Sequence, residues 1–314
     1  MTTGETHIRR GVLSLGSLIS ERGAGELHGI HVHVRGQPPI SHHWTSDIRR
    51  DVFSVSKTFV SVAVGLAATE GLLDLTDPLL RHLGHLAPRA AEGVESITIE
   101  QLLTMTSGIV YRWDDTTTSP AADPALPIVA APLGSKPGTS FAYRGGNTYL
   151  LSRVIHSCSC QDVRDFLQSR LFAPLGIEEP AWQRCPRGFS LGATGLSLRT
   201  GEVARLGRTL LDHGGWQGQQ LIPVDYVTSL ISHPVDTLGH LATRAAGPHP
   251  ENARYGRHVW LCVRDDAWRM DGIYGQFSVV LPLQRACITV TGHYRGPTTD
   301  ILDAIWSEIV PSLA

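Results

Sequence analysis

Between Phe53 and Thr69 the chain has no proline and is apolar on nearly every side. Phe59, Val60, Val62, Ala63, Val64, Leu66 and Ala67 fall around the whole circumference of a helix. A surface helix carries one apolar stripe, whereas a helix that is apolar all round has to be buried. The rest of the chain must therefore supply layers that cover this segment. Its head is polar, with Ser54 and Lys57 three positions apart and Asp51 just before them, placed to cap the helix.

Candidates for the covering layers can be read on either side. Leu27–Arg35 alternates, with Ile30, Val32 and Val34 on one face and His31, His33 and Arg35 on the other, which predicts a half-buried strand. Near the C-terminus, Tyr255–Val263, Ala267–Gly272, Phe277–Leu281 and Ala286–Thr291 read as short strands of an antiparallel meander, followed by an amphipathic helix over Asp300–Ile309. The middle is helical: Ile97–Met105, Thr148–His156, Asp162–Leu171, Glu202–Asp212 and Pro223–Ser232. Loop-like stretches fall at 111–140 and 236–254. A loop as long as the first is commonly a lid or a binding loop.

The first strand has no sequence-adjacent partner, so it is expected to join the C-terminal meander. That arrangement is a mixed α+β fold. Residues 1–75 and 190–314 form one discontinuous domain, residues 76–189 form a mainly helical insertion, and the active site lies in the cleft between them. A length of 314 residues agrees with about two domains at about 150 residues each.

Composition narrows the function classes. With 27 basic and 29 acidic side chains the formal charge is −2, so there is no basic field to hold nucleic acid or an anionic membrane. The five cysteines, Cys158, Cys160, Cys185, Cys262 and Cys287, form no C-x-x-C pair and suit a reducing compartment. Neither a signal peptide nor a membrane-spanning apolar run is evident, and the expected location is cytoplasmic. His31, His33, His42 and His43 lack a carboxylate partner and read as surface rather than metal ligands. No metal or cofactor is expected.

Of the 27 basic side chains only Lys57 and Lys136 are lysines. Arginine does not release its proton in a protein and lysine can. Lys136 lies in a Ser-Lys-Pro-Gly turn with an ordinary structural explanation. Lys57 lies one helical turn from Ser54, on a helix that has to be buried. Burial lowers a lysine pKa, and a neutral amine can take the proton of a serine hydroxyl, which is a poor nucleophile without a base. The helix N-terminus also sets backbone N–H groups beside Ser54, where an oxyanion would form.

Phe53-Ser-Val-Ser-Lys-Thr58, Glu70-Gly-Leu-Leu-Asp-Leu-Thr-Asp-Pro78, Gln101-Leu-Leu-Thr-Met-Thr-Ser-Gly108, Pro137-Gly-Thr-Ser-Phe-Ala-Tyr143 and Thr194-Gly-Leu-Ser197 occur in this order. Together they resemble the serial motifs of the serine β-lactamase-related superfamily, above all its class C branch with penicillin-binding-protein-like esterases and 6-aminohexanoate-dimer hydrolases. The resemblance implies an antiparallel sheet flanked by N- and C-terminal helices, with an inserted helical domain. It implies Ser54 as the acylated nucleophile, Lys57 as its base partner and Tyr143 as a proton relay to the leaving group. The K-T-G strand of the family falls at Met270-Asp-Gly272. Ile273 then supplies the second oxyanion N–H beside that of Ser54, and Met270, Gly272, Gln276 and Asn147 fall to substrate binding.

Two departures shape the expectation. Gly145 stands where the second motif has an asparagine, with Asn147 two residues on as its substitute. Met270 stands where K-T-G has a cation, and a thioether cannot hold the carboxylate of a β-lactam or of a D-Ala-D-Ala peptide. Tyr149 and Tyr274 read as pocket walls and His293 as a candidate for the cleft lining. The expected function is a serine hydrolase cleaving a small ester or amide through an acyl-enzyme on Ser54. The alternative is a transacylase that hands the acyl group to an amine or alcohol. A binding module that has kept the fold and lost turnover would bind ligand without an adduct on Ser54.

Overall fold

The computed structural model describes residues 3–111, 123–238, 250–264 and 266–313. Its centre is an eight-stranded antiparallel sheet ordered β2-β1-β12-β11-β10-β9-β8-β7. β1 (Gly25–Val34) and β2 (Ile40–His43) come from the N-terminal part. β7 (Val235–Asp236), β8 (Arg254–Tyr255), β9 (Trp260–Leu261), β10 (Trp268–Gly272), β11 (Gln276–Leu281) and β12 (Ala286–Tyr294) come from the C-terminal part. The first strand does join the meander: β1 pairs antiparallel with β12, Ile30 opposite Val290 and Val32 opposite Ile288. Two small ladders lie outside this sheet. One joins β3 (Arg50–Asp51) to β4 (Ser197–Leu198), the other β5 (Gly215–Trp216) to β6 (Gln219–Gln220).

Helices cover both faces. On one side lie α1 (Thr3–Glu21) and the C-terminal α10 (Thr299–Ala304), which continues as a π-helix over Ile305–Ile309. The residue pattern assigned nothing before Leu27, yet Ile8, Val12, Leu15 and Ile19 recur at helical spacing and are all buried against Ile30, Val32, Phe277, Val279, Ile288 and Val290. On the other side, α2 (Ser56–Thr69) is the expected central helix, and every residue from Ser56 to Ala67 is buried. Burying side chains such as Phe59, Val62 and Val64 contributes about 1.5–3 kcal/mol each.

Around α2 pack α3 (Leu79–His82), α4 (Ile99–Leu103), α5 (Ala125–Ala130), α6 (Gly145–Ser159) and α7 (Val163–Leu167). α8 (Thr200–Leu211) and α9 (Val224–Ser232) complete this side. α8 lies so close to the sheet that a Cβ on Gly207 would sit 2.2 Å from Ser278 Oγ and 2.6 Å from Cys287 Sγ. No described helix is long and apolar enough to cross a membrane.

Two elements differ from expectation. α5 forms within the stretch read as loop, while residues 112–122 of the expected lid lie outside the described residues. The single strand expected over Tyr255–Val263 is two, β8 and β9, folded back as a hairpin through His258 at φ +60°. Gly256, Arg257 and His258 interrupt the apolar pattern at this turn, and a single strand read across them passes over that break.

Candidate active site

Ser54 sits in a single 3₁₀ turn, Phe53–Val55, that leads into α2. Phe53 is held at φ +49°, a left-handed conformation that costs a bulky residue energy and persists where the surroundings enforce it. Those surroundings are explicit. Asp51 Oδ1 accepts from the backbone N–H of Phe53 (2.7 Å) and of Gly195 (3.0 Å), and its Oδ2 accepts from Thr194 Oγ1. The carboxylate thus fixes the turn that presents Ser54 and the loop facing it. It does not cap α2, which has no side-chain cap.

Lys57, in the first turn of α2, is 4% exposed. Its Nζ donates to Ser54 Oγ at 2.7 Å and to the carbonyl of Ala193 at 2.8 Å. Burial pushes its pKa down to about 7, against the opposing pull of the Asp271 and Asp51 carboxylates. The ring of Tyr143 lies 5.0 Å from Nζ, stacks on Trp260 at 5.7 Å and meets the edge of Tyr255 at 5.8 Å. The structure therefore brings Ser54, Lys57 and Tyr143 together against an aromatic wall.

The remaining sequence-derived residues fall differently. β10 ends beside the nucleophile turn: a Cβ on Gly272 would lie 2.7 Å from the carbonyl oxygen of Val52. Ile273, next in the chain, exposes its side chain and gives its carbonyl to Gln276 Nε2. Gln276 braces the turn after β10. It is 3% exposed, and its amide also donates to the carbonyls of Tyr274 and Gly292 and accepts from the Gly292 N–H. Asn147 is likewise spent on the scaffold, accepting from Ser107 Oγ at 2.8 Å and donating to Met105 Sδ.

Met270 is fully buried in the core with Trp268 and Val280. The physical reason is strand parity. Arg269 and Asp271 occupy the other face, where Arg269 pairs across the ladder with Trp260. Arg269 Nε donates to Asp271 Oδ2 at 3.0 Å, and its other nitrogens hold the Glu251 carbonyl and Asn252 Oδ1. Asp271, whose charge reaches both Lys57 and Tyr255, is the K-T-G-strand residue turned toward the site.

Tyr149 is a core residue and not a pocket wall, its hydroxyl 3.3 Å from Cys185 Sγ. Tyr274 and His293 stack at 4.7 Å, and Tyr274 meets Phe53 edgewise at 5.2 Å, next to the nucleophile turn.

Sequence reasoning missed Asp271, Trp260 and His258. For Asp271 the signal was available, since assigning Met270 to the core face sends its neighbour to the opposite one. His258 gave none. It is 3% exposed, its Nε2 lies 3.0 Å from Thr148 Oγ1 in α6, and its carbonyl accepts from Oγ1 of Thr58, the residue after Lys57.

Comparison with known proteins extends beyond the motifs. Protein flp of Staphylococcus aureus strain COL is 30% identical over 154 residues, which is 48% of this chain and 31% of that protein. The chain thus spans about a third of the length of the first curated relatives it matches. The 6-aminohexanoate-dimer hydrolase of Paenarthrobacter ureafaciens is 24% identical over 304 residues, covering 86% of this chain and 75% of that one. EstCE1, described as a hydrolase with promiscuous acyltransferase activity, superposes with a TM-score of 0.74 over 98% of this chain and all of its own, at 16% identity, a likeness of fold. The profile of the Beta-lactamase family matches residues 24–306, from the first sheet strand to the C-terminal helix, and on that match the chain belongs to the Beta-lactamase family.

Proposed function

We propose that the protein is a serine hydrolase that cleaves a small ester or amide through an acyl-enzyme on Ser54. The observation that carries this is the 2.7 Å contact between Ser54 Oγ and a buried Lys57 whose pKa lies near 7. At neutral pH a good fraction of Lys57 is the free amine, able to take the Ser54 proton as Oγ attacks the substrate carbonyl. The N–H groups of Ser54 and Ile273 hold the oxyanion, and one such donor is worth about 3–4 kcal/mol. Tyr143 passes the proton to the leaving group as the scissile bond breaks. Water then attacks the acyl-enzyme with the same residues acting in reverse, releasing the acid and free Ser54.

The charge layout supports a substrate without a carboxylate next to the scissile bond. The strand position that would supply a cation is occupied by a core methionine, and the neighbouring side chain that faces the site is an aspartate. That speaks against β-lactams and D-Ala-D-Ala peptides. A transacylase reading draws support from the likeness to EstCE1 and from the aromatic wall of Tyr143, Tyr255 and Trp260, which limits water around an acyl-enzyme.

The test is hydrolysis of p-nitrophenyl butyrate by the wild-type protein and by Ser54→Ala, with intact mass to detect the acyl adduct. Turnover and adduct should both vanish in the variant. Equal activity in both proteins would place the chemistry elsewhere. Adding amine or alcohol acceptors to the same assay separates hydrolysis from transfer through the ratio of acid to conjugate.

A further inference from the structure

We propose that His258 is a positioning residue for the Ser54–Lys57 pair, joining the helix that carries Lys57 to the helix that follows Tyr143. The inference rests on the reading of Lys57 as the base.

Three elements meet at this residue. Its backbone N–H donates to the carbonyl of Leu103 at the end of α4 (3.2 Å). Its carbonyl takes the Thr58 hydroxyl of α2 at 2.8 Å, and its Nε2 lies 3.0 Å from the Thr148 hydroxyl of α6. The backbone here is left-handed, φ +60°, a conformation in which histidine is enriched among non-glycine residues. Nδ1 is buried and has no hydrogen-bond partner. A leucine would lose the Thr148 contact and is less suited to the left-handed backbone, so the fold itself favours histidine, and the charges nearby bear on which polar group can serve.

The charges around Lys57 set that choice. Asp51 from β3 and Asp271 from β10 both favour its protonated form, which cannot act as a base. Tyr143 lies against it from the segment before α6. His258 is within reach of the Lys57 charge, with Tyr255 of β8 as its own ring neighbour at 6.4 Å. Burial, and then the charge of Lys57, hold the imidazole neutral by lowering its pKa to about 3. Throughout the neutral pH range the ring therefore adds order to this corner and no third charge. An acid at this position would fix Lys57 as the ammonium.

The scarcity of lysine provides a clean readout. With ¹³C at the lysine ε-carbons, the chain shows two lysine signals, the buried Lys57 and the exposed Lys136 as an internal control. His258→Asn and His258→Asp are nearly isosteric, tolerate the left-handed backbone and differ only in charge. In the asparagine variant, which loses the ring that reaches Thr148, kcat should fall by about tenfold while the Lys57 midpoint stays within about half a unit of wild type; in the aspartate variant the midpoint should rise by at least about one unit. The acid limb of the p-nitrophenyl butyrate profile should move with it, at little change in KM. Coincident Lys57 midpoints in the two folded variants, or a wild-type kcat in the asparagine variant, would overturn the proposal. The His258→Gln and His258→Glu pair makes the same comparison where the shorter side chains do not fold. The lysine midpoint is read without turnover, so a failure of the hydrolase reading shows up separately, in the Ser54→Ala experiment.

Discussion

The two faces of the central sheet are built from different chemistry. The face under α1 and α10 is closed by Ile8, Val12, Leu15, Ile19, Phe277, Val279, Ile288, Val290 and Ile305, all apolar and all buried. The face under α2 and α8 is also rich in buried apolar residues but holds Lys57, Ser61, Thr200, Ser278, Thr289 and Thr291 as well. Their hydroxyls pair with one another, Ser278 with Thr289 at 2.8 Å and Thr200 with Thr291 at 2.6 Å. One face is a foundation, its described core apolar apart from the Cys262 thiol and the Tyr294 hydroxyl. The other has a buried cation that burial disfavours, and a foundation stable enough to tolerate it. The division predicts that substitutions will separate into those that cost stability and those that cost turnover.

Lys57→Met should show the largest effect on turnover. Loss of the base should lower kcat by about 10²–10⁴-fold, with the protein still folded. The stability change should depend on pH, with a definite sign. An unfolded lysine titrates near 10.5 and Lys57 near 7, so between these values the unfolded chain binds more protons than the native one. Wild-type stability from this group should therefore rise with pH from about 7 to 10.5. The methionine variant should lack that rise, and denaturant titrations at pH 7 and pH 10 measure it.

The opposite face should respond in reverse. Ile288→Ala opens a cavity among Ile30, Val32 and the C-terminal helix and should cost about 2–5 kcal/mol. Below the unfolding transition its kcat and KM should stay close to wild type. A large loss of kcat with a modest loss of stability would show that the foundation is coupled to the site and would end the division drawn above.

The same asymmetry decides what the sequence revealed. Period-2 and period-3.6 patterns report which side of an element is buried, so α2, β1 and β10–β12 could be placed from residues alone. Ser54 and Lys57 were legible because a helix cannot be apolar all round and exposed, and because lysine is so rare in this chain. Strand parity was legible too, but aligning Met270 with a motif cation took precedence over it and hid Asp271. Asn147 and Gln276 were assigned to substrate by their places in the family motifs, while their amides engage Ser107 and the Gly292 carbonyl, 40 and 16 positions away. His258 was out of reach, since its role depends on Thr58 and Thr148, 200 and 110 positions away. Its turn has no Asn-Gly or Asp-Gly signal to announce it.

The smallest predicted effect lies at the exposed end of α6 and sharpens the division from the margin. α6 ends at Cys160, held at φ +58° with its N–H bonded to the carbonyl of His156. This is the left-handed helix cap that glycine adopts at no steric cost. Cys160 is exposed, so Cys160→Gly removes little packing. Relief of the strained backbone outweighs the added freedom of the unfolded chain, and the net gain should be about 0.5–1 kcal/mol. Because α6 also carries Thr148, the partner of His258, a tighter end to this helix tests whether the site feels its support. The expected result is a small rise in Tm with an unchanged acid limb in the pH profile. A shifted limb would mean that helix stability far from Lys57 reaches its titration through Thr148 and His258, and that the catalytic face has no independent boundary.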